Sequence, residues 1–377
     1  VQLFCLKLLV VAMAAAEKSS VAAASEASPA AAAVEPEELV LPIGDGRVVI
    51  AGQMWRPTGG RAPRARILAV HGTLDNCGSF APLAPHLAAA GYCVFAMDLS
   101  GHGRSAWRPG GFYQMAAWVI EIFQTLTALG ADWSRAQGPL VLMGHSLGAG
   151  LCSLAAGAFP SHFSAAILID GLGVWAPRTP EQMKEMAKSG GYAGRNFSEI
   201  GPDYYRHVNV TKRIVDTVLK LDAKMAQGPK EYESLDAAIE ARVASTNSSP
   251  VGQRITQHAA RAIVRRGSRV LPSGRVVYAH DSRITVATNN GAMHDEDALG
   301  YLQRMPRALL LHGDRHHTWP GIHERTEARL AHLDTGMLEV KYYPGEAHHL
   351  HADSPELVLP AILEFLGGVC SAGEAKL

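Results

Sequence analysis

The feature that most limits the fold of this chain is a series of short runs, mostly apolar on both faces, at 67–70, 93–97, 140–143, 166–169, 308–311 and 338–343. Each stops abruptly at His, Asp, Gly or Pro. A run of four to six residues with little polar alternation has no face to give to water, so it belongs in a sheet covered on both sides. The segments between have a helical period. Met115, Val119, Ile122, Phe123, Leu126 and Leu129 share one face, and 147–159 is rich in small residues that let a helix pack close to a sheet. Alternating strands and helices imply a mostly parallel, doubly wound α/β sheet flanked by helices, with ligand chemistry at the carboxyl ends of its strands. Two β-like runs within 47–55, split by Gly52, precede the series.

Between 171 and 304 this rhythm breaks. Helical patches at 179–188, 203–221 and 234–243 mark a mainly helical cap inserted between two sheet strands. The first 38 residues are a different material. Residues 3–16 are apolar but for Lys7, shorter than the roughly 20 residues of a membrane span. With Ala12, Ala14 and Ala16 as a cleavage site, they fit the apolar region of a signal peptide, although the chain begins with Val1. Residues 17–38, rich in Ala, Ser, Pro and Glu, read as a linker. Ala375-Lys376-Leu377 resembles a peroxisomal address and is the rival to a secretory or organellar leader. The expected organisation is a leader and linker (1–38), the first part of an α/β core (39–170), a cap (171–304), the second part of the core (305–369) and a tail (370–377). No stable membrane span is expected in the mature chain.

Lysine plus arginine equal aspartate plus glutamate at 35 each. Zero net charge argues against electrostatic capture of nucleic acid or an anionic membrane. Five cysteines, without a Cys-x-x-Cys pair, do not make a disulfide scaffold. Cys77, Cys93 and Cys152 fall in core-like segments as packing residues. Asn196, Asn209 and Asn247 open glycosylation patterns that matter only in a secreted chain.

The chemistry concentrates at Gly144-His145-Ser146-Leu147-Gly148, which follows an apolar run and opens a helix. A strand-to-helix turn this sharp lifts the serine hydroxyl above the sheet and aims the helix N-terminus and the Leu147 amide at a developing oxyanion. A second oxyanion amide is expected from Thr73, with Leu74 as its alternative, after the run at 67–70. A serine hydroxyl needs a base, and His348, His349 and His351 follow the last apolar run. Together with His316 and His317 these histidines lack the spacing of a zinc site, so no metal and no cofactor are expected. The base in turn needs a carboxylate. Asp170, at the end of the run at 166–169, is favoured, with Asp314 as the alternative.

Together these segments resemble serine-hydrolase-like proteins of the α/β-hydrolase superfamily. The resemblance is carried by His71-Gly72-Thr73-Leu74-Asp75-Asn76 with Ser79-Phe80, by 97–105, by Gly144 to Ala149, by 168–173, and by His348-His349-Leu350-His351 before Pro355. It covers about 66–175 and 306–366. It implies a cofactor-free hydrolase acting on a small-molecule acyl substrate, such as a carboxylic ester, through an acyl-enzyme on Ser146. It selects His348 as the base, seven residues before the proline that starts the last helix. Most relatives place the acid three positions beyond a glycine, where this chain has His316. One subgroup of haloalkane dehalogenases uses the place that Asp170 holds here. Thr73 replaces the tryptophan usual in the family, Asp98 reads as a structural residue, and Pro360 is expected to kink the last helix. Trp175 and Trp319, with Met183, Met186 and Phe197, are candidates for an acyl pocket. Two other readings stay open: a ligand-binding pseudoenzyme on the same fold, and a carbon–carbon bond hydrolase. Carbon–halogen and epoxide hydrolysis use an aspartate where this chain has Ser146.

Overall fold

The computed structural model describes residues 34–111, 113–174, 207–226, 228–248, 253–284, 293, 295–314, 322–334 and 336–374. Among the described residues the strands are β1 (Glu37–Ile43), β2 (Val48–Trp55), β3 (Arg66–Val70), β4 (Cys93–Met97), β5 (Leu140–His145), β6 (Ala165–Ile169), β7 (Glu231–Tyr232), β8 (Ser268–Val270), β9 (Val276–Tyr278), β10 (Ala308–Gly313) and β11 (Leu338–Tyr343). Eight form one sheet in the order β1-β2-β4-β3-β5-β6-β10-β11, in which β2 pairs antiparallel with both β1 and β4 and all other neighbours are parallel.

The helices are α1 (Ala84–Ala89), α2 (Met115–Leu129), α3 (Leu147–Ala158), α4 (His207–Met225), α5 (Leu235–Asn247), α6 (Gln257–Arg266), α7 (Asp295–Arg304), α8 (Ile322–Leu330), α9 (Leu350–Asp353) and α10 (Pro355–Glu374). Strand alternation divides the apolar residues between two cores. Leu68, Leu142, Leu168 and Leu310 pack with Trp118 and Ile122 of α2 and Leu151 and Ala155 of α3. Ile67, Val141, Ile167 and Leu309 face the other way, onto Leu87 of α1 and Val358, Ile362 and Phe365 of α10. Both faces of the parallel strands are therefore covered, as their unbroken apolar runs require. Helix α10 is long and apolar enough to cross a membrane, yet one face of it builds this core. It continues through Pro360, which lies on its exposed side.

The sequence reading missed part of this. Strand β1 occupies residues assigned in part to the linker, and it tolerates Pro42 because it is an edge strand. Gly52 does not split β2. A Cβ there would lie 2.4 Å from Phe95 Cζ and 2.6 Å from Ala96 O, so the glycine admits the close approach of β4. Between β6 and β10 the described residues include α4 and α5, near two of the expected helical patches. They also include α6 and a separate sheet of order β7-β9-β8 that no sequence signal announced. The patch at 179–188 lies outside the described residues.

Register fixes where chemistry can occur. Val70 pairs with Gly144, His145 with Ile169, and Ile169 with Leu311. His71, Ser146, Asp170 and His312, each next in sequence to one of these ends, therefore emerge together at one edge of the sheet.

Candidate active site

Ser146 is the single joint between β5 and α3, with φ 52° and ψ −113°. A non-glycine residue held there stores backbone strain, which persists only when its surroundings enforce it. They do so tightly. A Cβ on Gly144 would lie 2.3 Å from Gly148 O, and one on Gly148 would lie 2.0 Å from Val70 O. The Ser146 amide donates to Ile169 O at 3.0 Å, which ties the turn to β6. Leu147 supplies the first amide of α3, one of those with no partner inside the helix, at the positive end of its dipole.

Asp170 also takes a positive φ, 46°, directly after β6. Its side chain is 1% exposed, and Oδ2 accepts from His348 Nδ1 at 2.5 Å. Oδ1 accepts from the Gly313 amide at 3.3 Å and lies 3.1 Å from His312 Nδ1. A carboxylate at Nδ1 fixes the ring proton there and leaves His348 Nε2 with a free lone pair. The backbone of His348 is anchored as well, since His145 Nε2 donates to its carbonyl at 2.8 Å. The structure thus brings His348 to Asp170 and not to Asp314. Asp314 is exposed beyond the end of β10 and accepts from the Gly345 amide at 2.7 Å. Among the described residues, Ser146 Oγ makes no hydrogen bond to His348. The two are neighbours through His145, whose ring centroid lies 4.7 Å from that of His348.

The loop after β3 touches the same turn, since a Cβ on Gly72 would lie 3.2 Å from Ser146 Cβ. The Leu99 amide donates to His71 Nε2 at 3.0 Å, so the ring proton of His71 is on Nδ1, which donates to Gly72 O at 2.7 Å. Burial lowers the pKa of His71 and favours this neutral form. With its carbonyl held by His71, the trans peptide after Gly72 turns the Thr73 N–H the opposite way. Leu74 has φ 60° and continues the turn.

Residues 61–283 match the family model described as Hydrolase_4, serine aminopeptidase, S33. The chain belongs to this family. Relatives of the hydrolase include a probable serine hydrolase of Drosophila melanogaster, 28% identical over 81% of this chain and 82% of the relative. The monoglyceride lipase of Rattus norvegicus is 32% identical, but over 38% of this chain and 46% of its own length. Among solved structures, a hypothetical protein of Pseudomonas aeruginosa PAO1 superposes with a TM-score of 0.65 at 26% identity, over 89% of this chain and all of the other. The thioesterase domain of the curacin biosynthetic pathway gives 0.64 at 20% identity, over 88% of this chain and 99% of that domain, a likeness of fold. The protein is a serine-hydrolase-like α/β hydrolase.

Around the site the hydrolase carries buried polar residues whose partners sequence reasoning did not supply. Asp98, read as structural, is fully buried. It accepts from the Cys77 and Arg104 amides and from Arg266 Nε at 2.9 Å, and Arg266 reaches on to Glu38 of β1. Asp75 is held by Arg242 of α5 at 2.8 Å and by His349 at 3.2 Å. Burial pushes the Asp75 carboxyl up, but His349, His145 and Arg242 outweigh that and hold it well below the usual range. His349 is pushed down to about 4, mainly by burial. His349 and His351 are buried supports beneath the His348 loop. The signals were present, since Asp75 and His145 sit inside recognisable motifs. The partners of Asp75 lie 167 and 274 positions away, and the carbonyl that His145 meets lies 203 positions away. The pocket candidates Trp175, Trp319, Met183, Met186 and Phe197, and His316 and His317, lie outside the described residues.

Proposed function

We propose that the hydrolase cleaves a carboxylic ester or related small-molecule acyl compound through a Ser146-His348-Asp170 triad. The observation that carries this reading is the 2.5 Å contact of His348 Nδ1 with buried Asp170, on a chain whose strained Ser146 lies at the same sheet edge. Ser146 Oγ attacks the carbonyl carbon, and His348 Nε2 takes the hydroxyl proton. Asp170 stabilises the imidazolium. The Thr73 and Leu147 amides donate to the oxyanion, where each such donor typically contributes about 100- to 1000-fold in rate. As the tetrahedral intermediate collapses, the proton passes from His348 to the leaving alcohol and the acyl group stays on Ser146. His348 then deprotonates a water that attacks the acyl-enzyme, and returns that proton to Ser146.

Residues 171–304 serve as the cap in this reading. In support, Arg242 pairs with Asp75, Arg266 with Asp98, and Trp107 donates to Ala279 O at 2.9 Å. These bonds fasten the inserted segment to the loops at the reactive edge. The names of the monoglyceride lipase relatives make monoacylglycerols the first substrates to try. A fluorophosphonate probe should label the wild type and not Ser146→Ala, and only the wild type should hydrolyse a panel of monoacylglycerols and short acyl esters. Equal labelling of the two proteins would remove Ser146 from the mechanism.

A further inference from the structure

Beside the reactive edge, Asp75, His145 and His349 bring three ligand atoms together in a site that the hydrolytic mechanism does not use. His349 Nε2 lies 3.2 Å, and His145 Nδ1 3.5 Å, from Asp75 Oδ2, and all three atoms fall within 4.8 Å of one another. The three side chains are at most 5% exposed. A tetrahedral ion with bonds of about 2.0–2.2 Å separates its ligands by about 3.3–3.5 Å. Two of the three edges already stand near that spacing.

The proton positions sharpen the case. His145 Nε2 meets the carbonyl of His348, so it carries a ring proton, and in the neutral ring Nδ1 is a lone pair. That nitrogen is buried and has no hydrogen-bond partner among the described residues. With the ring neutral, that lone pair and the Asp75 carboxylate oxygen face each other at 3.5 Å out of water, and a positive charge between them, a proton on Nδ1 or a divalent ion, turns repulsion into attraction. The second Asp75 oxygen is already held by Arg242. A cavity of about 30 Å³ lies beside Asp75, lined also by Leu74, Arg242, Tyr278 and His280 among others. It has room for one water.

We propose that Asp75 Oδ2, His145 Nδ1 and His349 Nε2 form a binding site for one zinc-class divalent ion, with a water as fourth ligand. On binding, His349 carries its ring proton on Nδ1 instead of Nε2. The donor set differs from the His-His-x-His run of the sequence, from which it takes one residue. Its position gives it a use. Asp75 lies two residues after Thr73, His145 immediately before Ser146, and His349 immediately after His348. One ion ties together the three segments that carry the proposed reaction.

The test uses untagged full-length protein, freed of metal with a chelator and titrated with zinc chloride in a calorimeter. Cobalt(II) serves as the spectroscopic stand-in. One equivalent per chain, a tetrahedral cobalt spectrum and a raised Tm are expected. His145→Gln and His349→Gln should each weaken binding by at least about 10- to 100-fold, the loss typical even of outer-shell partners. His332→Gln, at an exposed histidine, should bind as the wild type does. So should Ser146→Ala, which separates this site from the hydrolytic reading. Absence of a stoichiometric site, or unaltered binding by both ligand variants, overturns the proposal. Should the variants fail to fold, X-ray absorption of the zinc-loaded wild type decides: two imidazoles and no sulfur support the site, and any other first shell refutes it.

Discussion

Replacing Asp170 by asparagine tests the proposed mechanism at its most specific point. The side chain is isosteric and 1% exposed, so the fold should survive. What changes is forced by the neighbours. Oδ1 of Asp170 accepts from the Gly313 amide, a donor that requires an oxygen, so the new amide must turn its carbonyl to Gly313 and its NH2 to His348. His348 Nδ1 then has to accept, and the ring proton moves to Nε2. In that tautomer the ring cannot take a proton from Ser146. A serine hydrolase carrying the wrong histidine tautomer loses about 10⁴-fold in kcat, or about 5 kcal/mol of transition-state stabilisation. The assay is steady-state ester hydrolysis, together with the rate of fluorophosphonate labelling, on protein shown by circular dichroism to be folded. Asp314→Asn is the matched comparison. Among the described residues its exposed side chain holds only the Gly345 amide, so turnover should change less than about threefold and stability by no more than about 0.5 kcal/mol. If folded Asp170→Asn kept more than a tenth of the activity, or if Asp314→Asn were the crippled variant, the assignment of the acid would fall.

Three further outcomes follow from the same structure. Asp98→Ala leaves Arg266 buried without its main partner and should cost about 3–5 kcal/mol, read as a lower midpoint in urea. An unchanged midpoint would contradict the buried pairing. Gly148→Ala would put a methyl group 2.0 Å from a backbone oxygen of β3, which no side-chain rotation relieves. It should destabilise by more than about 3 kcal/mol or prevent folding, so soluble, active protein would argue against the turn described. Burial and the neighbouring His71 hold His102 well below the usual histidine pKa of 6.5, and burial lowers His71. Both rings are neutral in the fold and take up protons on unfolding, so their contribution is complete above pH 6.5 and is lost as pH falls below it. Urea midpoints should therefore drop between pH 7.5 and 5, and His102→Phe, packed between the rings of His71 and Trp118, should narrow the drop. An equal drop in the variant would remove His102 as a cause.

Local patterns in the chain were enough for the parallel sheet and the turn at Ser146. Strands buried on both faces need unbroken apolar runs, and a joint as tight as Ser146 needs glycines on either side. Both requirements are written in a few consecutive residues. The same reasoning failed where the cause lay far away in sequence. Gly52 reads as an interruption until Phe95 is seen against it, and the start of β1 reads as linker until β2 is there to pair with. The short strands β7, β8 and β9 have too few residues to show a period.

The site divides in the same way. A sequence can show that a serine stands at a joint between strand and helix, and that histidines follow the last strand. Which carboxylate meets His348 depends on the order of strands across the sheet, with β6 lying between β5 and β10 so that Asp170 emerges beside both. The buried meeting of Asp75, His145, Arg242 and His349 could only be decided by the tertiary structure. Side chains from four distant segments converge there, and their spacing in space leaves no mark on their spacing in the chain.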